Sequence, residues 1–267
     1  MDSPAGTRVG LLDGFALEHG VGGVPTVVDD LPRCAQRLIA LLSLCGRPAR
    51  AAVAGQLWPD VPEDHAHGAL RSALWRVHKA VPGLVEVVGG ALGLARGVRV
   101  DVREFRDWAQ RVLDPNALVD GGMAPELALR GELLPGWYDD WVLLERERLR
   151  QLRLHALEVL AHKLACEGRY GEAVQAAYTA VHTEPLRESA HRAVVRVHLA
   201  EGNIVEAVRA YDAFRDMLVH ELGVAPTAQM EELISCVHTP SRRSGGLGPC
   251  GDPADCLRAG VGPGSRS

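Results

Sequence analysis

Aromatic residues are scarce in this 267-residue chain: five Trp, four Tyr and three Phe, 4% of the total. Lysine is scarcer still. Of 29 basic residues only Lys79 and Lys163 are lysine, a bias that reflects GC-rich coding rather than function. No stretch approaches the roughly 18 apolar residues of a membrane span, and no basic-then-apolar leader is present. Neither a spanning nor an exported protein is therefore expected, and the cytoplasm is. The six cysteines (34, 45, 166, 236, 250, 256) include no CxxC pair. Cys34 and Cys45 fall about three turns apart on one predicted helix, too far to bridge. Reduced, mostly buried thiols are expected instead of a disulfide framework or a metal site. A G-x-x-x-x-G-K-[ST] loop, a nucleophile elbow and paired catalytic carboxylates are also missing. His65, His67 and His78 have no ligand-spaced carboxylate or cysteine beyond Asp64, so zinc is not expected. The chain reads as a non-enzyme with no cofactor and no metal.

What is present is a large apolar fraction, 47%, enough for the cores of one large or two ordinary domains. The net charge of −5 argues against nonspecific nucleic-acid binding by the whole molecule. Its distribution argues otherwise for one part. Residues 33–99 hold nine basic against four acidic residues, a balance of +5 that leaves −10 to the remainder. Such asymmetry suggests that one part meets a polyanion.

Residues 8–31 read as short strands broken by Gly22 and Gly23. Three helical patterns follow. "RCAQRLIALLSLC" (33–45) ends at Gly46, and "AAVAGQLW" (51–58) stops before Pro59. "HGALRSALWRVHKAVP" (67–82) is preceded by Asp60 to Asp64, whose side chains could cap it. It places Leu70, Leu74, Val77 and Val81 on one stripe and Arg71, Ser72, Trp75, Arg76, His78 and Lys79 on the other. "LVEVVGGALGLA" (84–95) is a strand, a Gly-Gly turn and a strand, a hairpin. This order is that of a winged helix-turn-helix of the OmpR response-regulator type, which puts its last helix in the major groove.

Beyond "GVRVDVREF" (97–105) the chain is wholly helical. "EGRYGEAVQAAYTAVHTEP" (167–185) and "EGNIVEAVRAYDAFRDMLV" (201–219) align without gaps at an offset of 34, the tetratricopeptide (TPR) period. Glu, Gly, Glu, Ala, Val and Ala at 167, 168, 172, 173, 174 and 176 recur at 201, 202, 206, 207, 208 and 210. In "LLERERLRQLRLHALEVL" (143–160) an apolar stripe (143, 144, 149, 152, 157, 160) suggests core. Its charges suggest a solvated face with i, i+4 pairs. "GWYDDW" (136–141) reads as a packing knot or, more sharply, a partner interface. The Gly-, Pro- and Ser-rich residues 239–267 are expected to be a disordered tail.

A winged helix followed by helical repeats resembles the Streptomyces antibiotic regulatory protein (SARP), AfsR-type, transcription regulators. These join an OmpR-like DNA-binding domain to a bacterial transcriptional activator domain (BTAD). The segments that carry the resemblance are "ALRSALWRVHKAV" (69–81), "VDVREF" (100–105), "ELLPGWYDDWVLLERERLRQLRLHALEVLA" (132–161), "EPLRESAHRAVVRVHLAEGN" (184–203) and "ELGVAP" (221–226). The expected fold is mainly α: a winged helix at 1–99, a TPR-like helical domain at 100–238 and a tail at 239–267. The resemblance implies an activator of a biosynthetic gene cluster, binding promoter direct repeats as a homodimer on DNA in the nucleoid. It further implies contact with the sigma or alpha subunit of RNA polymerase. The rival is a TPR-type interaction scaffold with a degenerate DNA-binding domain.

On this expectation Arg71 and Arg76 reach groove edges, since arginine can bond two acceptors of guanine, and Lys79 acts as a point charge on phosphate. Ser72 and His78 share the face. Arg96 and Arg99 beside the hairpin, and Arg33, Arg47 and Arg50 near helix starts, are phosphate candidates. Trp75 has three readings: a sugar or base contact, a polymerase contact, or packing against the wing or the helical domain. Packing is favoured, because direct readout rarely uses Trp and burying its ring is favourable.

Overall fold

The computed structural model describes residues 6–21, 24–117 and 131–238; the Gly22–Gly23 turn and the tail from 239 lie outside them. Strands β1 (Arg8–Gly10), β2 (Ala16–Val21) and β3 (Val24–Val27) precede helices α1 (Arg33–Cys45), α2 (Arg50–Leu57) and α3 (Glu63–Ala80). A hairpin of β4 (Val85–Val88) and β5 (Ala91–Leu94) follows, then β6 (Arg99–Val100) and α4 (Asp101–Leu113). The rest is helical: α5 (Asp140–Cys166), α6 (Tyr170–Thr183), α7 (Glu188–Glu201), α8 (Ile204–Leu222) and α9 (Ala228–His238). The protein is mainly α, an N-terminal winged helix-turn-helix followed by a helical half. It divides into two compact units, Met1–Val159 and Leu160–Ser267.

In the first unit the sheet order is β3-β2-β1-β6, with β1 antiparallel to β2 and parallel to β6. Val9 sits between Leu17 and Val100, and all three are buried. Asp101 follows β6 directly and is fully buried. Its carboxylate accepts the backbone N–H groups of Leu11 (2.9 Å), Leu12 (3.0 Å) and Val102 (2.7 Å). Such a charge is tolerable in the interior because several N–H donors replace its lost water. Arg103 donates to the carbonyls of Leu42 and Ser43, and Arg106 to that of Leu44. These are last-turn carbonyls of α1, which lack intrahelical partners and favour a cation.

Helix α1 has the bounds its spacing predicts and ends on Gly46 at φ +73°. Helix α3 begins earlier than expected, and Asp60 to Asp64 do not cap it. Pro62 occupies the cap position with no side-chain bond, while Glu63 and Asp64 lie inside the first turn, where negative charge complements the exposed N–H groups. The hairpin forms as read. Gly89 (φ +59°) and Gly90 (φ +81°) make its two-residue turn, and Val88 faces Ala91. The wing is stitched to the α1–α2 connection: Leu92 N–H donates to the Pro48 carbonyl (2.9 Å) and Arg50 N–H to that of Gly90 (3.3 Å).

Three expectations need correction. Leu143 and Leu144 of the supposed core stripe are exposed, whereas Leu149, Leu157 and Leu160 are buried. In the first turn of α5 the buried positions are Trp141 and Val142, with Val142 in line with Leu149, and Leu143 and Leu144 fall off that face. The charges of α5 pair at i, i+3, as in Arg148–Glu145 and Arg150–Glu147. Arg146 instead turns inward to the carbonyls of Leu133, Leu134 and Trp137. Cys45 and Cys166 are exposed, and Cys34 is half-buried. Both lie at helix ends, beyond the packed stripe.

In the second unit the sequence repeat becomes a structural one. Gly168 and Gly202 end their helices in the left-handed region at φ +75° and +82°, a conformation that glycine adopts without cost. Ala173 and Ala207 are both fully buried where helices approach closely. Phe214, Val195, Leu218, Met230 and Ile234 form the core beside Ala207.

Candidate nucleic-acid interface

Helix α3 buries Ala66, Leu70, Ala73 and Val77, and leaves Leu74 half-buried. At about 100° per residue, Arg71, Ser72, Trp75, Arg76, His78 and Lys79 fill the opposite arc, and all six are exposed. No carboxylate among the described residues pairs with Arg71, Arg76 or Lys79. Ser72 is less available than its place suggests, since its hydroxyl donates to the Gly68 carbonyl at 3.3 Å.

Trp75 is not packed. It is 61% exposed, with the Lys79 ammonium 5.4 Å from its ring centroid. Within its own unit the indole does not pack against the wing, because the leucine-valine stripe fills the interior and turns the indole outward. A cation over an exposed ring gains about 0.5–1 kcal/mol, enough to bias the two side chains together but not to bury them.

The other arginines divide by what already holds them. Arg47 pairs with Glu86 of β4 at 3.1 Å, and its stem lies over Gly93, where a Cβ would come within 2.7 Å of its Cγ. It belongs to the joint between the wing and the α1–α2 connection. Arg50 opens α2 beside the wing tip. Arg96 is exposed just past β5. Arg99 lies on β6 in the four-stranded sheet and pairs with Glu104 at 2.7 Å. Arg33 stacks its guanidinium 3.5 Å from the centre of Trp137. The wing tip is apolar rather than basic, with Val87 and Val88 exposed at the end of β4 just before the turn.

"GWYDDW" is mainly a packing knot. Trp137 and Trp141 are buried, Trp137 stacks on Phe15, and Asp139 pairs with Arg37. Tyr138 projects outward. Beside it lies a cleft of about 650 Å³ lined by Trp58, Asp60, Tyr138, Asp140, Trp141 and Leu144, among others. The sequence signalled the aromatics but not the roles of Arg33, Arg37 and Arg146 in anchoring this segment. Arg33 and Arg37 meet partners about 100 residues away, and Arg146 holds three backbone carbonyls and Glu132, none of which leaves a spacing pattern.

The family model of the bacterial transcriptional activator domain matches residues 125–237. The chain is 32% identical over 214 residues to regulatory protein AfsR of Streptomyces coelicolor, covering 74% of this chain and 21% of that protein. It is 30% identical over 215 residues to the AfsR of Streptomyces griseus, with 74% and 22% covered. The chain thus spans about a fifth of the length of the curated relatives it matches. Among solved structures it is similar to Mycobacterium tuberculosis EmbR, determined in complex with a low-affinity phosphopeptide. The TM-score is 0.63 at 16% identity, over 86% of this chain and 64% of that one, a likeness of fold. The two AfsR relatives are regulatory proteins, and no described helix of this chain is long and apolar enough to cross a membrane. With residues 125–237 matching the activator-domain model and AfsR-like sequence over about three quarters of its length, the chain is similar to the SARP, AfsR-type, transcription regulators.

Proposed function

We propose that the chain is a sequence-specific DNA-binding regulator, an activator of a secondary-metabolite gene cluster, acting in the cytoplasm at the nucleoid. Residues 1–99 make the DNA contact. Two copies bind promoter direct repeats, and the TPR-like residues 100–238 hold them together and meet the sigma or alpha subunit of RNA polymerase. The observation that carries the reading is the exposed arc of α3. Among the described residues three cations there have no carboxylate partner, in a chain whose overall charge is −5. Arg71 and Arg76 reach base edges, while Lys79, Arg96 and Arg50 take phosphates, which position the helix without specifying sequence. Arg47 and Arg99 act on DNA only if they leave Glu86 and Glu104, so their part is the smaller. The exposed Tyr138 and the cleft beside it support a protein contact near the start of α5.

Electrophoretic shifts on promoters of the protein's own gene cluster test the reading. The protein should retain them at low salt, and Arg76→Ala should abolish specific binding while the circular dichroism of the helices stays unchanged. A purified protein that ignores those promoters at low salt refutes the DNA reading.

A further inference from the structure

Gly68 sits in the interior of the 18-residue helix α3, where glycine is the least favourable residue after proline. Nothing inside the fold asks for it. A Cβ built there would meet only the end of the Arg71 side chain, at an ordinary 3.6 Å, and its φ is not in the left-handed region. Gly93 shows the contrast: there a Cβ would drive into Arg47 at 2.7 Å, so packing explains that glycine. Gly55 in α2 is equally open, but it lies outside the basic arc.

The position of Gly68 supplies the missing reason. Arg71, Ser72, Trp75, Arg76, His78 and Lys79 span an arc of roughly 160° on α3, and Gly68 falls near its middle. Trp75 lies two turns later, within about 20° of the same line and about 10 Å further along the axis. The face is therefore uneven. It is low at Gly68, between Asp64 and His65 a turn earlier and the Arg71 guanidinium that lies back over it, and a large ring stands in its second half.

Resting on the DNA reading above, we infer that this step sets the tilt of α3 on the duplex. Gly68 is the point of closest approach, where the helix backbone meets the groove. Trp75 is the ridge that rests on a deoxyribose at the groove edge and holds the later turns away from the bases. Recognition helices present their N-terminal residues to base edges, and this shape favours that arrangement. Arg71, lying back over Gly68, then points into the groove beside the closest contact, and Lys79 is left at phosphate height.

Gly68→Ala separates this role from a structural one, because the two predict opposite signs. Alanine should raise the melting temperature of the full chain by a few degrees, through better helix propensity. Its affinity for the duplex that the wild-type protein selects from a random pool should fall about tenfold. Trp75→Ala should leave the melting temperature nearly unchanged. Its sequence preference should flatten in the half of the site that Arg71 and Arg76 read. In the wild-type protein, acrylamide quenching of the exposed indole should fall on binding that duplex. A Gly68→Ala chain that binds as tightly as wild type, or a Trp75 that stays equally quenchable, overturns the inference while DNA binding stands. A wild-type chain that selects no sequence overturns both.

Discussion

His191 lies flat against Phe214, ring centroids 4.1 Å apart, and its Nε2 is 2.8 Å from the Pro185 carbonyl. That contact needs a proton on Nε2, which the neutral Nε2–H tautomer and the imidazolium both carry, so burial has to outweigh it. Burial holds the imidazole below its ordinary value of 6.5, so the folded chain disfavours a charge that the unfolded chain accepts. Above pH 6.5 neither state is charged and the contribution is complete. As the pH falls through 6.5 toward the lower folded value, the unfolded state gains protons first and stability declines. His162 shifts in the same direction, through burial and then the nearby Arg196. Urea midpoints of the helical half should therefore drop between about pH 7.5 and 5.5, and His191→Gln should make that drop shallower. An unchanged slope in the variant would remove His191 from the account. At the same scale Trp75 reverses the expectation that it packs against the wing. Its type argued for packing, whereas its position on the helix decides for exposure.

At the scale of elements, the joint between strand β6 and helix α4 is held by one carboxylate. Asp101 sits at a chain reversal and gathers N–H groups from the segment leaving β1 and from the first turn of α4. Asp101→Ala would leave those donors buried without an acceptor, at a cost of at least about 3 kcal/mol in urea unfolding. A loss below about 1 kcal/mol would mean that the strands re-satisfy them another way. The "VDVREF" segment was legible as part of a family pattern, but this work of its aspartate was not, because two of the three donors, Leu11 and Leu12, lie about 90 residues earlier. The wing illustrates the opposite case. Its Gly-Gly turn and flanking valines are local signals and specify a hairpin wherever it docks. The repeat behaves likewise: Ala173 and Ala207 were recognisable as small residues at a fixed period, and the structure buries both.

For the whole molecule the decisive quantity is where charge sits. A chain of net charge −5 should associate with DNA through one face and be repelled elsewhere, so binding should be steeply salt-dependent. With Lys79, Arg96 and Arg50 on phosphates, log K should fall against log [salt] with a slope of about −3 per copy. Lys79→Ala should reduce that slope by about one without altering the preferred sequence, whereas Arg76→Ala should remove the preference itself. A slope near zero would place the affinity in apolar contacts instead.

The sequence by itself determined the order of elements, the helix and hairpin identities, the repeat and the two faces of α3, since periodicity, turn chemistry and charge are local properties of the chain. Only the tertiary structure decided which members of those faces are free. It engaged Arg47 with Glu86, Arg99 with Glu104 and Arg33 with Trp137, and it left Arg71, Arg76 and Trp75 outward. Those outcomes depend on partners brought together from distant segments. The competition between a buried or paired side chain and a solvated one is settled by geometry that no spacing in the chain records.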